Sequence, residues 1–368
     1  MRIAVDARPL AHPHTGIGRY TEALLRRMAG SGHQWFLYSD RGLLPRFDFD
    51  DHVQLRTGNA GPGSPFSLLY SQLVFPRWAR GDCVDLFWSP RHHLPLRLPG
   101  KVAGVVTIHD LVWKRFPETM MKSNLWLERM LMGPSLHNAR RVICVSDFTA
   151  RELSREYPKL SAVCRVVHEA AETVVMKPDE QAAPVPEQPF LLFVGTLEPR
   201  KNLPRLLRAF SRLVRTTDLP HQLLVVGARG WAGEDLDSLA RQLDVVARVE
   251  LRGRLSDAEL RALYQSTVAL VMPSLYEGFG LPVLEAMQHG APVIVSKTGA
   301  LPEVAGEGGL LVDPLSEDSI YRQMLRLCSD RQLRASLSAR ARQQAQRFSW
   351  DKAAQQTLAV LEEACTDD

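Results

Sequence analysis

Short apolar runs rich in β-branched residues alternate along the chain with stretches whose apolar positions fall three and four apart, a pattern that predicts parallel strands covered on both faces by helices. In the front half the predicted strands are Arg2 to Asp6, Trp35 to Tyr38, Val53 to Arg56, Val84 to Trp88, Val102 to Ile108 and Val142 to Val145. The alternation then restarts, with Phe190 to Val194, Gln222 to Val226, Val249 to Arg252, Ala269 to Met272, Pro292 to Val295 and Leu310 to Val312. Between the two series, residues 169–189 gather Pro178, Pro184, Pro186 and Pro189 among Ala, Glu and Gln, a composition that suits a connection rather than a core element. The expectation is an α/β chain of two Rossmann-like domains with parallel sheets facing a central cleft: 1–172, a linker 173–188, and 189–349. The last helical stretch, Trp350 to Ala364, could extend either domain, including back onto the first.

Length agrees, because 368 residues exceed the usual size of one domain. With 45% hydrophobic and 23% charged residues the chain reads as globular rather than disordered or fibrous. Its five cysteines are widely spaced and form no C-x-x-C pair, so they read as reduced and structural in a cytoplasmic protein. The N-terminal residues run directly into a strand without a secretion signal. No run of about 18 apolar residues occurs, so membrane contact is expected to be peripheral. Residues 1–172 carry 23 Lys/Arg against 16 Asp/Glu, whereas 173–368 carry 22 against 25. The basic front half could face anionic lipid or a phosphorylated acceptor, and no interleaved aromatic and basic motif points to nucleic acid. The stretch Trp113 to Arg141 mixes Trp126, Met121 and Met130 with Lys122 and Arg129. It suits either an interfacial helix at the inner face of the cytoplasmic membrane or a core-facing helix.

The segment Ser274-Leu275-Tyr276-Glu277-Gly278-Phe279-Gly280-Leu281-Pro282-Val283-Leu284-Glu285 follows an apolar strand and reads as a glycine loop opening a helix. Gly278 and Gly280 allow close backbone approach, Pro282 suits the first helical position, and free amides ahead of the helix can face an anion. Glu277 and Glu285, eight positions apart, suit sugar-hydroxyl binding or acid/base work; an acidic helix start is the structural alternative. A second strand end, Gly195-Thr196-Leu197-Glu198-Pro199-Arg200-Lys201, presents two adjacent cations able to clamp a diphosphate, although such a pair at a helix start often faces solvent. A glycine turn at Gly16-Ile17-Gly18 follows the first strand, and His109 ends the strand Val102 to Ile108. Each also has an ordinary structural reading. The two D-x-D patterns, Asp48/Asp50 and Asp235/Asp237, are poorly placed for a metal, the second because residues two apart on a helix diverge.

Taken together, the Glu277/Glu285 segment, the Arg200-Lys201 loop, His289-Gly290-Ala291-Pro292-Val293-Ile294 and Gly299-Ala300-Leu301-Pro302-Glu303-Val304 resemble the E-x7-E signature and its surroundings in retaining GT-B glycosyltransferases of family 4. The resemblance extends over nearly the whole chain. It implies that Glu285 binds the donor ribose and that Glu277 contacts the transferred sugar, assisted by backbone amides of Phe279, Gly280, Leu281 and Val283. By the same resemblance Arg200 and Lys201, beside Gly195, hold the diphosphate. Gly16 and Gly18 lie near the donor phosphates, His109 touches the donor sugar, and Gly253 and Leu255 meet the base. No metal or other cofactor is expected, the cations standing in for one. Gly16 to Tyr20 and Thr107 to Leu111 look most like bacterial mannosyl- and rhamnosyltransferases of surface polysaccharide assembly. That likeness implies a GDP-sugar donor and a lipid-linked or oligosaccharide acceptor. His168-Glu169 departs from the family, standing where relatives often have an Asn-Gly turn. Two rivals share the donor chemistry: a nucleotide-sugar epimerase of the same fold and a noncatalytic nucleotide-sugar binding module.

Overall fold

The computed structural model describes residues 1–11, 15–43, 52–59, 67–172, 185–230 and 235–366. Two units emerge from its internal packing, one of Met1–Trp113, Lys122–Glu169 and Ser349–Asp368, the other of Lys114–Met121 and Ala170–Phe348. Each is built on one parallel sheet.

In the first unit the strands are β1 (Arg2–Asp6), β2 (Gln34–Ser39), β3 (Val53–Thr57), β4 (Leu86–Ser89), β5 (Ala103–Ile108), β6 (Arg141–Cys144) and β7 (Cys164–Val166), in the spatial order β3-β2-β1-β4-β5-β6-β7. Val5 of β1 lies opposite Leu37 of β2 and Trp88 of β4. All six residues of β5 are buried, as expected of a strand covered on both faces. The edge strand β7 is an addition to the sequence reading: three half-buried residues centred on Arg165 carry no periodic signal. Elsewhere in this sheet the expected boundaries moved by one or two residues, within the ordinary ambiguity of strand ends.

The second unit contains β8 (Phe190–Val194), β9 (Gln222–Val226), β10 (Val249–Arg252), β11 (Ala269–Met272), β12 (Val293–Ser296) and β13 (Gly309–Val312), ordered β10-β9-β8-β11-β12-β13. Its core forms where the helix Leu203–Thr216 lays Leu206, Leu207, Phe210 and Leu213 against Phe193 and Val225 of the sheet. Each such side chain contributes about 1.5–3 kcal/mol by leaving water. In both sheets the strand order reverses direction at one place, between β1 and β4 and between β8 and β11. Such switch points open a crevice at the carboxyl ends of the strands.

The C-terminal helix Trp350–Thr366 belongs to the first unit. Trp350, Ala353, Ala354, Thr357, Val360, Leu361 and Ala364 form its buried stripe, at spacings of three and four. Arg27 pairs with Asp351 at 2.8 Å, and Arg165 pairs with Glu363. The expected single stretch from Trp113 to Arg141 is broken: a short helix Val112–Arg115, a 3-10 turn Pro117–Thr119 and the helix Lys122–Asn138. Pro117 interrupts it, since proline restricts the residue before it and removes a donor. Among the described residues no helix is long and apolar enough to cross a membrane.

Candidate active site

At the end of β8 the chain turns through Gly195 (φ 153°), and at the end of the neighbouring β9 through Gly227 (φ 154°). A Cβ on Gly227 would lie 1.9 Å from the Gly195 carbonyl oxygen, so these two strand ends pack backbone against backbone. Beyond Gly195 the 3-10 turn Pro199–Lys201 stops at Asn202, which adopts the left-handed conformation (φ 62°). The Asn202 amide then donates to the carbonyls of Pro273 (2.9 Å) and Pro314 (2.7 Å), and Leu275 N donates to Arg200 O at 2.8 Å. The loop after β8 is thereby tied to the loop after β11, at the switch point of the sheet.

Glu277 stands between the two cations. Lys201 Nζ lies 2.6 Å from its Oε1, and Arg200 Nη1 donates to its Oε2 at 2.8 Å and to Tyr276 O at 3.1 Å. Arg200 also pairs with Glu198 at 2.5 Å. Glu277 and Lys201 are both buried, at 6% and 7% exposure, so the alternative of solvent-facing cations is corrected at Lys201. Burial would raise the Glu277 carboxyl, but Lys201 and then Arg200 hold it down at about 2. Lys201 fares differently: burial, then the repulsion of Arg200, push its ammonium below the ordinary lysine value against the pull of Glu277. Glu277 has two cations against it, one of them shared with Glu198, whereas Lys201 shares its one contacting carboxylate with a like charge.

The backbone of the same loop is constrained from its other side. Gly299 (φ 74°) packs so that a Cβ would stand 3.0 Å from Glu277 O, and Ala300 N donates to that oxygen. Gly280 (φ 109°) precedes the helix Leu281–Gln288 and leaves no room for a Cβ beside Leu301. Leu281 takes the first helical position and Pro282 the second, one place later than expected, because Gly280 itself forms the cap. Phe279 is buried edge-on against Phe348, and Val283 is fully buried. Glu285, on the same helix, accepts from Tyr264 Oη at 2.9 Å, and the Tyr264 ring stacks on His289. The two acids of the signature therefore have different partners. Gly253 and Leu255 follow β10, Gly253 exposed with open space where a Cβ would be.

Gly16, Gly18 and His109 belong to the first unit. The expected glycine turn is the first turn of the helix Gly16–Met28, capped by Thr15, whose hydroxyl accepts from Gly18 N at 3.1 Å. His109 Nε2 donates to Pro90 O at 2.9 Å, and its Nδ1 faces Glu169 Oε1 at 2.9 Å. Both ring nitrogens are occupied in this state, so a sugar hydroxyl reaches them only by displacing a partner. Asp48 and Asp50 lie outside the described residues. Asp235 caps the helix Leu236–Gln242 and Asp237 pairs with Arg229. Asn202, Glu198, Tyr264 and Glu169 had no assigned role in the sequence reading. Only Glu169 left a mark there, as a departure from the family turn.

The family model for glycosyl transferases group 1 matches residues 177–344, and that for glycosyltransferase family 4 matches residues 14–173. O-antigen chain mannosyltransferase B of Escherichia coli is 31% identical over 97% of this chain and 98% of its own length. Among solved structures, sucrose-phosphate synthase from Thermosynechococcus elongatus superposes with a TM-score of 0.78 at 21% identity, over 99% of this chain and 98% of that one. HepE from Anabaena, in complex with UDP and glucose, gives 0.73 at 18% identity, over 99% and 100%. These likenesses carry the fold, two Rossmann-like domains of the GT-B class.

Proposed function

The chain belongs to the family-4 glycosyltransferases, and from that membership we propose that it moves mannose from GDP-mannose onto a lipid-linked or oligosaccharide acceptor in bacterial O-antigen, lipopolysaccharide or exopolysaccharide assembly. The observation that carries the reading is the Arg200–Lys201–Glu277 cluster at the β8/β11 switch point. In the reaction the bond from the anomeric carbon to the diphosphate oxygen breaks, and its electron pair stays on the diphosphate. Arg200 and Lys201 meet that growing charge already positioned and largely out of water, where they stabilise the transition state more than the ground state. Lys201, disfavoured as a cation beside Arg200, gains most from an incoming anion. These two cations supply the charge a divalent ion would, which supports transfer without metal.

The acceptor hydroxyl bonds to the anomeric carbon on the face the diphosphate leaves, and its proton passes to a diphosphate oxygen, giving retention. Glu277, ionised at neutral pH, is suited to accept hydrogen bonds from sugar hydroxyls. Glu285, oriented by Tyr264, is suited to the ribose diol. The helix Lys122–Asn138 leaves Trp126 (61% exposed) and Met130 (53%) outward beside Lys122 and Arg129, which supports peripheral docking on the anionic inner face of the cytoplasmic membrane.

A thermal-shift series with GDP, UDP, ADP, dTDP and their sugars in EDTA tests the donor, because a ligand that binds only the native state raises its melting temperature. GDP-selective stabilisation, lost in Glu285→Ala, is expected. Selectivity for another nucleotide replaces the donor, and silence toward all of them overturns the reading.

A further inference from the structure

The first sheet has a switch point too, and it carries a cation with no counter-ion among the described residues. β1 ends at Asp6 and β4 at Ser89, neighbours in the sheet, and the chain places Arg8 and Arg91 two residues beyond each end. Arg8 is satisfied: Nε donates to Asp6 Oδ1 at 2.8 Å, Nη2 to Oδ2 at 2.5 Å, and Nη1 to Ser67 O at 2.8 Å. Arg91 is half-buried, and among the described residues its guanidinium makes neither a hydrogen bond nor an ion pair; only its carbonyl is used, accepting from Ser89 Oγ. The charged groups acting on it are Arg8, Asp6, Glu128 and Asp40. Each of those acids is committed elsewhere: Asp6 to Arg8, Asp40 to Arg41 at 2.9 Å, and Glu128 to His92 (3.3 Å) and His93 (3.0 Å). Burial, and then Arg8, accordingly push the Arg91 guanidinium below its ordinary value.

A partly dry cation without a partner is costly, and an anion entering the crevice removes that cost. A guanidinium offers a planar fork that matches phosphate oxygens two at a time. In the second unit the corresponding switch point already holds two cations for a nucleoside diphosphate, so the donor's phosphates have a site of their own.

We propose that Arg91 is a specificity-determining residue that binds the phosphate or diphosphate joining the acceptor saccharide to its lipid. The inference rests on the reading of the chain as a transferase acting on a lipid-linked acceptor. It assigns the acceptor's anionic group, rather than its sugar, to the end of β4, with Arg8 contributing field and Asp6 holding Arg8 in place.

Calorimetric titration of the full chain with octyl mannosyl diphosphate and with octyl mannoside tests it, with saturating GDP present so that Arg200 and Lys201 are occupied. The wild type should prefer the diphosphate by about tenfold or more, the effect of one good charged contact. Arg91→Gln should abolish that preference, and Arg91→Lys, which keeps the charge but loses the fork, should retain part of it. Equal affinities in the wild type, or a preference that survives R91Q, would overturn the assignment. So would a loss of GDP affinity in R91Q with the preference unchanged, which would move Arg91 to the donor. Should R91Q fail to fold, an undiminished preference in R91K overturns it equally. Turnover of GDP-mannose by the wild type, measured separately, distinguishes this failure from failure of the transferase reading.

Discussion

Replacing Lys201 by alanine separates what the cation does for the fold from what it does for the reaction. Its Nζ lies 2.6 Å from Glu277, whose carboxyl falls from 4.5 to about 2 on folding. A depression of that size corresponds to about 3 kcal/mol of stability at neutral pH, shared between Lys201 and Arg200. Part of the Lys201 share is offset, because the buried ammonium is itself disfavoured beside Arg200. The net cost of Lys201→Ala should then be about 1 kcal/mol, or about 2–4 °C in the melting temperature of a unit this size. Turnover should fall much further, about a hundredfold or more, since leaving-group stabilisation is lost. The sign of the pH effect follows from the depressed carboxyl: its contribution is complete above the unfolded value of 4.5 and fades as pH drops toward 2. K201A should therefore lose less stability than the wild type on acidification. Calorimetry from pH 7 to 3, alongside nucleotide release at saturating donor, reads both effects. A variant with wild-type turnover would refute the leaving-group role, and one with a collapsed fold would show that the pair is chiefly structural.

Tyr264→Phe removes a hydrogen bond to the charged Glu285 while keeping the ring stacked on His289. Such bonds contribute about 1.5–3 kcal/mol, so the donor KM should rise about tenfold or more with little change in kcat; an unchanged KM contradicts the orienting role. Gly227→Ala would force a Cβ within 1.9 Å of Gly195 O at a backbone angle unsuited to alanine. Urea denaturation should show a loss above about 2 kcal/mol, and a loss under about 0.5 would mean the two strand ends can part.

Strand periodicity located β8, β9 and β11 to the residue, because parallel strands buried on both faces are nearly continuous apolar runs whose ends are abrupt. The same cue is silent for β7, whose three residues are half-buried at an edge. The stripe of the C-terminal helix was readable, but which sheet it covers was not, since an apolar face does not name its partner. At the site, the adjacency of Arg200 and Lys201 and the position of Glu277 marked two loops that the structure brings together, whereas Glu285 finds a different partner in Tyr264. That Glu277 bridges both cations depends on β8 lying beside β11, an order that follows from packing rather than from any residue pattern. Tyr264 and Asn202 act through contacts 21 and 71 positions away, which no local motif records. Arg91 is legible only by exclusion, once the surrounding acids are seen to be taken.

The most direct test of the central claim is the linkage of the product formed from GDP-mannose and octyl mannoside in excess EDTA, read by NMR at the new anomeric centre. An α-mannoside formed at an undiminished rate, and slowed about a hundredfold or more by Lys201→Ala, is the expected result. A β-linked product, a requirement for metal, or transfer by K201A at the wild-type rate would contradict it.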